Sequence, residues 1–144
     1  MTTFQEILDL LADELANIAN ITATPRYFVS EELGDVDDTP RYYVEPGGLE
    51  IERRNVGAPR QIFHVRATSV EYVESSGYNE TIVERVAQWE TVAYKLVQSP
   101  RLDYNAFVRK VTTFNDAPAT YSADATNMGV TLLNAGVDVE IVVD

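Results

Sequence analysis

The chain carries one histidine, His64, and no cysteine. His64 sits where Phe63, Val65 and Ala67 alternate with His64, Arg66 and Thr68, which places it on the less apolar face of a strand. A Ser–His–Asp triad or a histidine zinc site needs partners that this surrounding does not supply. Asp35, Asp37 and Asp38 are spaced closely enough to interest a hard cation. An EF-hand loop counted from Asp35 would need glycine at its sixth position and glutamate at its twelfth, and Pro40 and Pro46 stand there. No glycine-rich phosphate loop and no Gly-x-Ser-x-Gly elbow occurs, and no sequence spacing singles out a carboxylate pair. The expectation is a protein that is not an enzyme, with no catalytic residue, no metal and no cofactor.

The cations point elsewhere. Nine of the eleven are arginine, and eight tyrosines accompany them. Planar guanidinium and amphipathic phenol give much contact for little lost side-chain freedom, which favours both at protein interfaces. Arg41, Tyr42, Tyr43, Arg53 and Arg54 are the candidate subunit-interface residues, and Arg26 beside Tyr27 repeats the pairing. The acids are just as unevenly spread. Glu31, Glu32, Asp35, Asp37 and Asp38 fall within eight residues, and Ser30 to Glu52 holds eight acids against Arg41 alone. More than half of the net charge of −12 therefore lies in about one sixth of the chain. That balance disfavours a surface whose main task is gripping phosphates.

A length of 144 residues fits one domain spanning 1–144, since domains run to roughly 100–200 residues. The N-terminus lacks the basic start and apolar run of a signal peptide, and no stretch approaches the roughly 18 uncharged apolar residues of a membrane span. Phe4, Ile7, Leu8, Leu11, Leu15 and Ile18 form a helical stripe opened by a Thr3–Glu6 capping box. Tyr27 to Val29 reads as a short strand, and residues 30–40 as an acidic loop. Arg41–Glu45 and Leu49–Arg54 flank Pro46-Gly47-Gly48, which predicts a hairpin. The apolar positions of Gln61–Glu74 change parity after Ser69, which predicts a bulge near Thr68-Ser69. Asn79 is the expected N-cap of a second helix whose stripe is Ile82, Val86, Trp89, Ala93 and Leu96, ended by Ser99-Pro100. Tyr104–Phe114 reads as a strand and 115–127 as a second long loop. A closing strand to Val143 carries Gly136 as an expected bulge or crossing point. The fold class is α+β: a mainly antiparallel sheet of about five strands with both amphipathic helices packed on one face.

This order of elements, ending on Gly129-Val130-Thr131-Leu132 and Val137-Asp138-Val139-Glu140-Ile141-Val142, resembles the tail terminator proteins of long-tailed bacteriophages. The resemblance spans nearly the whole chain and rests on layout rather than on a diagnostic motif. It implies a virion protein assembled in the host cytoplasm. Copies would form a homo-oligomeric, usually hexameric, ring that caps the tail tube protein and docks to the neck or connector protein. DNA would pass through its lumen without specific binding, and no membrane would be involved. Head-completion and stopper proteins of the neck share this size and style, and a non-viral acidic binding module is the other alternative. Glu31, Glu32, Asp35, Asp37 and Asp38 are the candidate lumen or docking surface, because a wall of carboxylates repels phosphate.

Overall fold

A computed structural model describes residues 1–27, 39–74, 80–116 and 130–144. In chain order the elements are α1 (Phe4–Ala19), β1 (Ala23–Pro25), β2 (Arg41–Glu52), β3 (Arg60–Glu74), α2 (Glu80–Gln98), β4 (Ala106–Asp116) and β5 (Val130–Val143). They make one five-stranded sheet in the order β1-β2-β3-β5-β4, antiparallel throughout except for the parallel pair β1–β2.

Helix α1 starts as its sequence requires. The Thr3 hydroxyl accepts the Glu6 N–H, and the Glu6 carboxylate accepts the Thr3 N–H, so two backbone donors with no helical partner are satisfied. The helix ends at Asn20, which takes the left-handed conformation (φ 54°) and donates its N–H to Leu15 O. The Lys95 ammonium of α2 reaches Ile18 O at 2.9 Å, placing a cation at the negative end of α1.

Both helices lie on one face of the sheet. Ile7, Leu8, Leu11 and Leu15 of α1 and Trp89, Val92 and Leu96 of α2 share a core with Phe63, Val65 and Ala67 of β3 and alternate residues Leu133 to Val143 of β5. Phe4 meets Phe63 edge-on at 5.0 Å. Gln61 bonds both the N–H and the carbonyl of Thr2, tying the chain's start to the sheet.

Four local expectations are corrected. Tyr27 lies in a bend, and the described strand there is β1, one turn of chain earlier; Phe28 and Val29 fall outside the described residues. Pro46-Gly47-Gly48 is not a hairpin turn. Strand β2 runs through it, pairing Pro46 with Val65 and Leu49 with Phe63, so the segment holds one extra residue as a bulge. The bulge returns Leu49 and Ile51 to the face of Tyr42 and Val44.

Thr68-Ser69 holds no bulge, because β3 pairs β5 without a shift from Gln61↔Val143 to Glu74↔Val130. The helix-facing parity simply continues through Ser69 and Glu71, two polar residues with no solvent exposure. A bulge does occur in β4, between Val108 and Lys110, and keeps Val108 and Val111 on the core side.

Gly136 marks a close approach rather than a bulge. It pairs in register with Thr68 and Phe114, and a Cβ built on it would run into the Ala67 carbonyl and the Thr68 Cα. The expected helix cap Asn79, and residues 117–127 of the expected second loop, fall outside the described residues; Asn115 and Asp116 belong to β4. Gly136→Ala is expected to lower the unfolding free energy by about 1–3 kcal/mol in a denaturant titration, the range for overpacking a tight site. Gly48→Ala, where added atoms meet open space, serves as the mild comparison.

Candidate functional site

Among the described residues no helix covers the second face of the sheet, and the chemistry-bearing side chains gather there. Strand register lays them out in rows. Glu45, Arg66, Asp138 and Thr112 form one row across β2, β3, β5 and β4, while His64, Glu140 and Lys110 form the next. Along the second row His64 Nε2 lies 3.0 Å from Glu50 Oε1, and Nδ1 lies 3.7 Å from Glu140 Oε1. Glu140 also accepts from Arg109 at 2.9 Å. Along the first, Arg66 donates to Asp138 at 2.9 Å and stacks over the Phe114 ring at 4.2 Å. Glu45 accepts from Arg26 at 2.8 Å, and that guanidinium lies 3.8 Å over the Tyr43 ring.

These rows frame a shallow groove of about 350 Å³ beside Gly47. Its carboxylates are already matched by cations of the same subunit. Both His64 ring nitrogens face carboxylates, so neither is presented to a substrate as a general base requires. Among the described residues, no three His, Cys, Asp or Glu are grouped to hold a metal ion. The Arg109 hydrogen bond, opposed by desolvation and aided by the charges of Arg109, His64 and Lys110, holds the Glu140 carboxyl below its ordinary pKa. The Asp138 hydrogen bond, against the cost of burial, likewise raises the Arg66 pKa.

The candidate interface residues are dispersed by the fold. Arg41 and Arg53 are exposed. Arg54 pairs with Asp144, which also takes Arg60 at 2.9 Å. Tyr43 lies beneath Arg26 on the uncovered face. Tyr42 is taken up inside the subunit: its hydroxyl donates to Gln88 Oε1 at 3.0 Å, accepts from Arg85, and its ring meets Trp89 at 5.9 Å. Glu31, Glu32, Asp35, Asp37 and Asp38 fall outside the described residues.

Sequence reasoning missed the polar cluster under α2. Glu71 is paired bidentately with Arg85, at 2.7 and 3.2 Å, with side-chain exposures of 1% and 13%. Trp89 Nε1 donates to Ser69 Oγ at 2.9 Å. Burial opposes the Arg85 charge, yet the Glu71 hydrogen bond and the attraction of Tyr42 and Glu71 keep its pKa raised. The signal was present: Ser69 and Glu71 hold core parity in β3, and Arg85 and Trp89 stand one helical turn apart.

No helix among the described residues is long and apolar enough to cross a membrane. No protein-family model matches the chain, and no curated protein sequence matches it.

Two outcomes follow from the pairs. Arg85→Ala leaves the Glu71 carboxylate buried without its cation, which costs about 3–5 kcal/mol by urea titration at neutral pH. Arg109→Ala raises the Glu140 pKa toward the ordinary carboxylate value, read by carboxyl NMR titration. Glu140's depressed folded pKa contributes stability that is present above the unfolded value and is lost as pH falls through the folded one. Arg109 is largely exposed, so removing it costs less than about 1 kcal/mol.

Proposed function

We propose that this chain is a structural subunit that joins copies of itself into a ring, in the manner of phage tail terminators. The ring, a hexamer, caps the tail tube, docks to the neck and leaves a lumen for DNA in the virion. One observation supports the reading above others: a sheet closed by helices on one face, charge-paired on the other, and unpaired among the described residues along most of both lateral edges. Such an architecture offers surfaces for neighbours and, among the described residues, no convergent set of reactive groups. The strongly acidic stretch Glu31 to Asp38 suits a wall that DNA must slide past, because carboxylates and phosphates repel and no counterions are released.

The test is made in the assembled particle. Electron microscopy of virions carrying a tagged copy is expected to show a ring of label at the head-proximal end of the tail, and a single copy or an unlabelled tail would overturn the reading. Neutralising Glu31, Glu32, Asp35, Asp37 and Asp38 together, to Gln and Asn, removes the charge that repels DNA while keeping side-chain size, and is expected to cut infectious titre at least roughly tenfold with the thermal midpoint unchanged. An unchanged titre would remove the acidic stretch from the lumen or docking role.

A further inference from the structure

We infer that neighbouring copies join by laying the β4 edge of one along the β2 edge of the next, antiparallel, with a basic strand meeting an acidic one. The inference rests on the self-assembly reading above and says which surfaces carry it.

Each edge is partly covered within the subunit, and the uncovered parts match. Strand β1 pairs β2 only at Tyr42, Tyr43 and Val44, and the Arg26 N–H adds one bond to Val44 O. From Glu45 to Glu52 no described strand lies beyond β2. At the other side of the sheet, Arg101 bridges Phe107 and the Val108 N–H bonds Pro100 O, which occupies the start of β4. From Arg109 to Asp116 no described strand lies beyond β4. Two stretches of eight residues thus face no described strand. An unpaired edge presents a row of N–H and C=O groups that another strand can satisfy.

Direction and handedness agree with the pairing. β2 is antiparallel to β3, β3 to β5, and β5 to β4, so β2 and β4 run in opposite senses. A second copy set beside the first with its helices on the same side therefore brings β4 antiparallel to β2, the more stable ladder. Because the two edges are different surfaces on opposite sides, the contact is head-to-tail. Each added copy leaves one edge of each kind free until a ring closes.

Charge favours this pairing over a contact between two β2 edges. Glu45 and Arg109 are spent on Arg26 and Glu140 within the subunit, which leaves Glu50, beside His64, and Glu52 with no cation on the free part of β2, and Lys110 with a single acid, Asp116, on that of β4. Two β2 edges laid antiparallel would set Glu45 of one copy against Glu52 of the other. Leu49 and Ile51, 38% and 61% exposed, supply apolar area on the acidic edge that a neighbouring strand would cover.

Sedimentation velocity of the full chain over a concentration series tests this. Wild type is expected to self-associate, less tightly at high salt. Lys110→Glu and Glu52→Lys, both at exposed positions, should each weaken association roughly five- to tenfold, with circular dichroism melts unchanged. The chain carrying both changes reverses one oppositely charged pair across the contact, residues 52 and 110, and should recover to within about threefold of wild type. Association that persists unaltered in the single variants, or a double variant that stays weak, overturns the edge pairing while leaving self-assembly in place. A wild type that remains monomeric at every concentration, and in the presence of tail tubes, overturns both.

Discussion

A carboxylate with no solvent exposure, Glu71, determines where the second helix must lie. It sits on the helix-facing side of β3 and can remain charged there only if a cation meets it. Arg85 meets it with two hydrogen bonds, and one turn later Trp89 supplies the donor for buried Ser69. The spacings agree. Four residues of helix rise about 6 Å, and two residues of strand about 6.6 Å, so Arg85–Glu71 and Trp89–Ser69 are satisfied together only when α2 runs antiparallel to β3 in one register. A wholly apolar contact would tolerate sliding by a turn; this one does not. Tyr42 and Gln88 extend the same network to β2, so the helix is registered against two strands.

With α2 held this way, the helices consume one face of the sheet, and no described helix covers the other. That face manages its charge locally. Arg26, Arg66 and Arg109 neutralise Glu45, Asp138 and Glu140. Cations are scarce in a chain of net charge −12, and much of the supply is committed to the sheet. The unbalanced negative charge is therefore left to the acids of α1 and to the acidic stretch before β2. Ile62, Val70 and Val142, whose parity places them on this face, are nonetheless buried. Long ion-paired side chains lay apolar stems over such positions while keeping their heads in water.

The helices were legible because an amphipathic stripe needs only local spacing, and Thr3–Glu6 marked the first start outright. The α+β class and the two helices on one face followed from the order of stripes and alternations. Bulges were not legible at their true places. The parity offset in β3 came from reading Val70 as core, whereas the core parity there is carried by Ser69 and Glu71, made buriable by partners fourteen and twenty residues away. The same kind of offset between Tyr42–Val44 and Leu49–Ile51 did signal a bulge, but Pro-Gly-Gly reads locally as a reversal, and only the pairing with β3 distinguishes the two. The Arg–Tyr pairs were visible as types, yet Tyr42 and Arg54 bind groups 46 and 90 residues distant, which no local pattern encodes.

An open edge is a hazard for a lone protein, since any exposed strand can add to it. Both edges of this sheet carry devices that limit the choice of partner. β2 bears Pro46, which has no N–H to offer, and the Gly47-Gly48 bulge; β4 bears its own bulge between Val108 and Lys110. Gly47 itself permits no side chain, because a Cβ there would press within 2.6 Å of the His64 carbonyl. A strand seeking either edge must accommodate an interrupted ladder and carry charge of the opposite sign. Edges built to refuse pairing altogether are short or covered, and here eight residues on each side face no described strand. What the bulges and charges leave is selectivity, and a strand that carries the opposite charge at Lys110 lies on the opposite side of the same sheet.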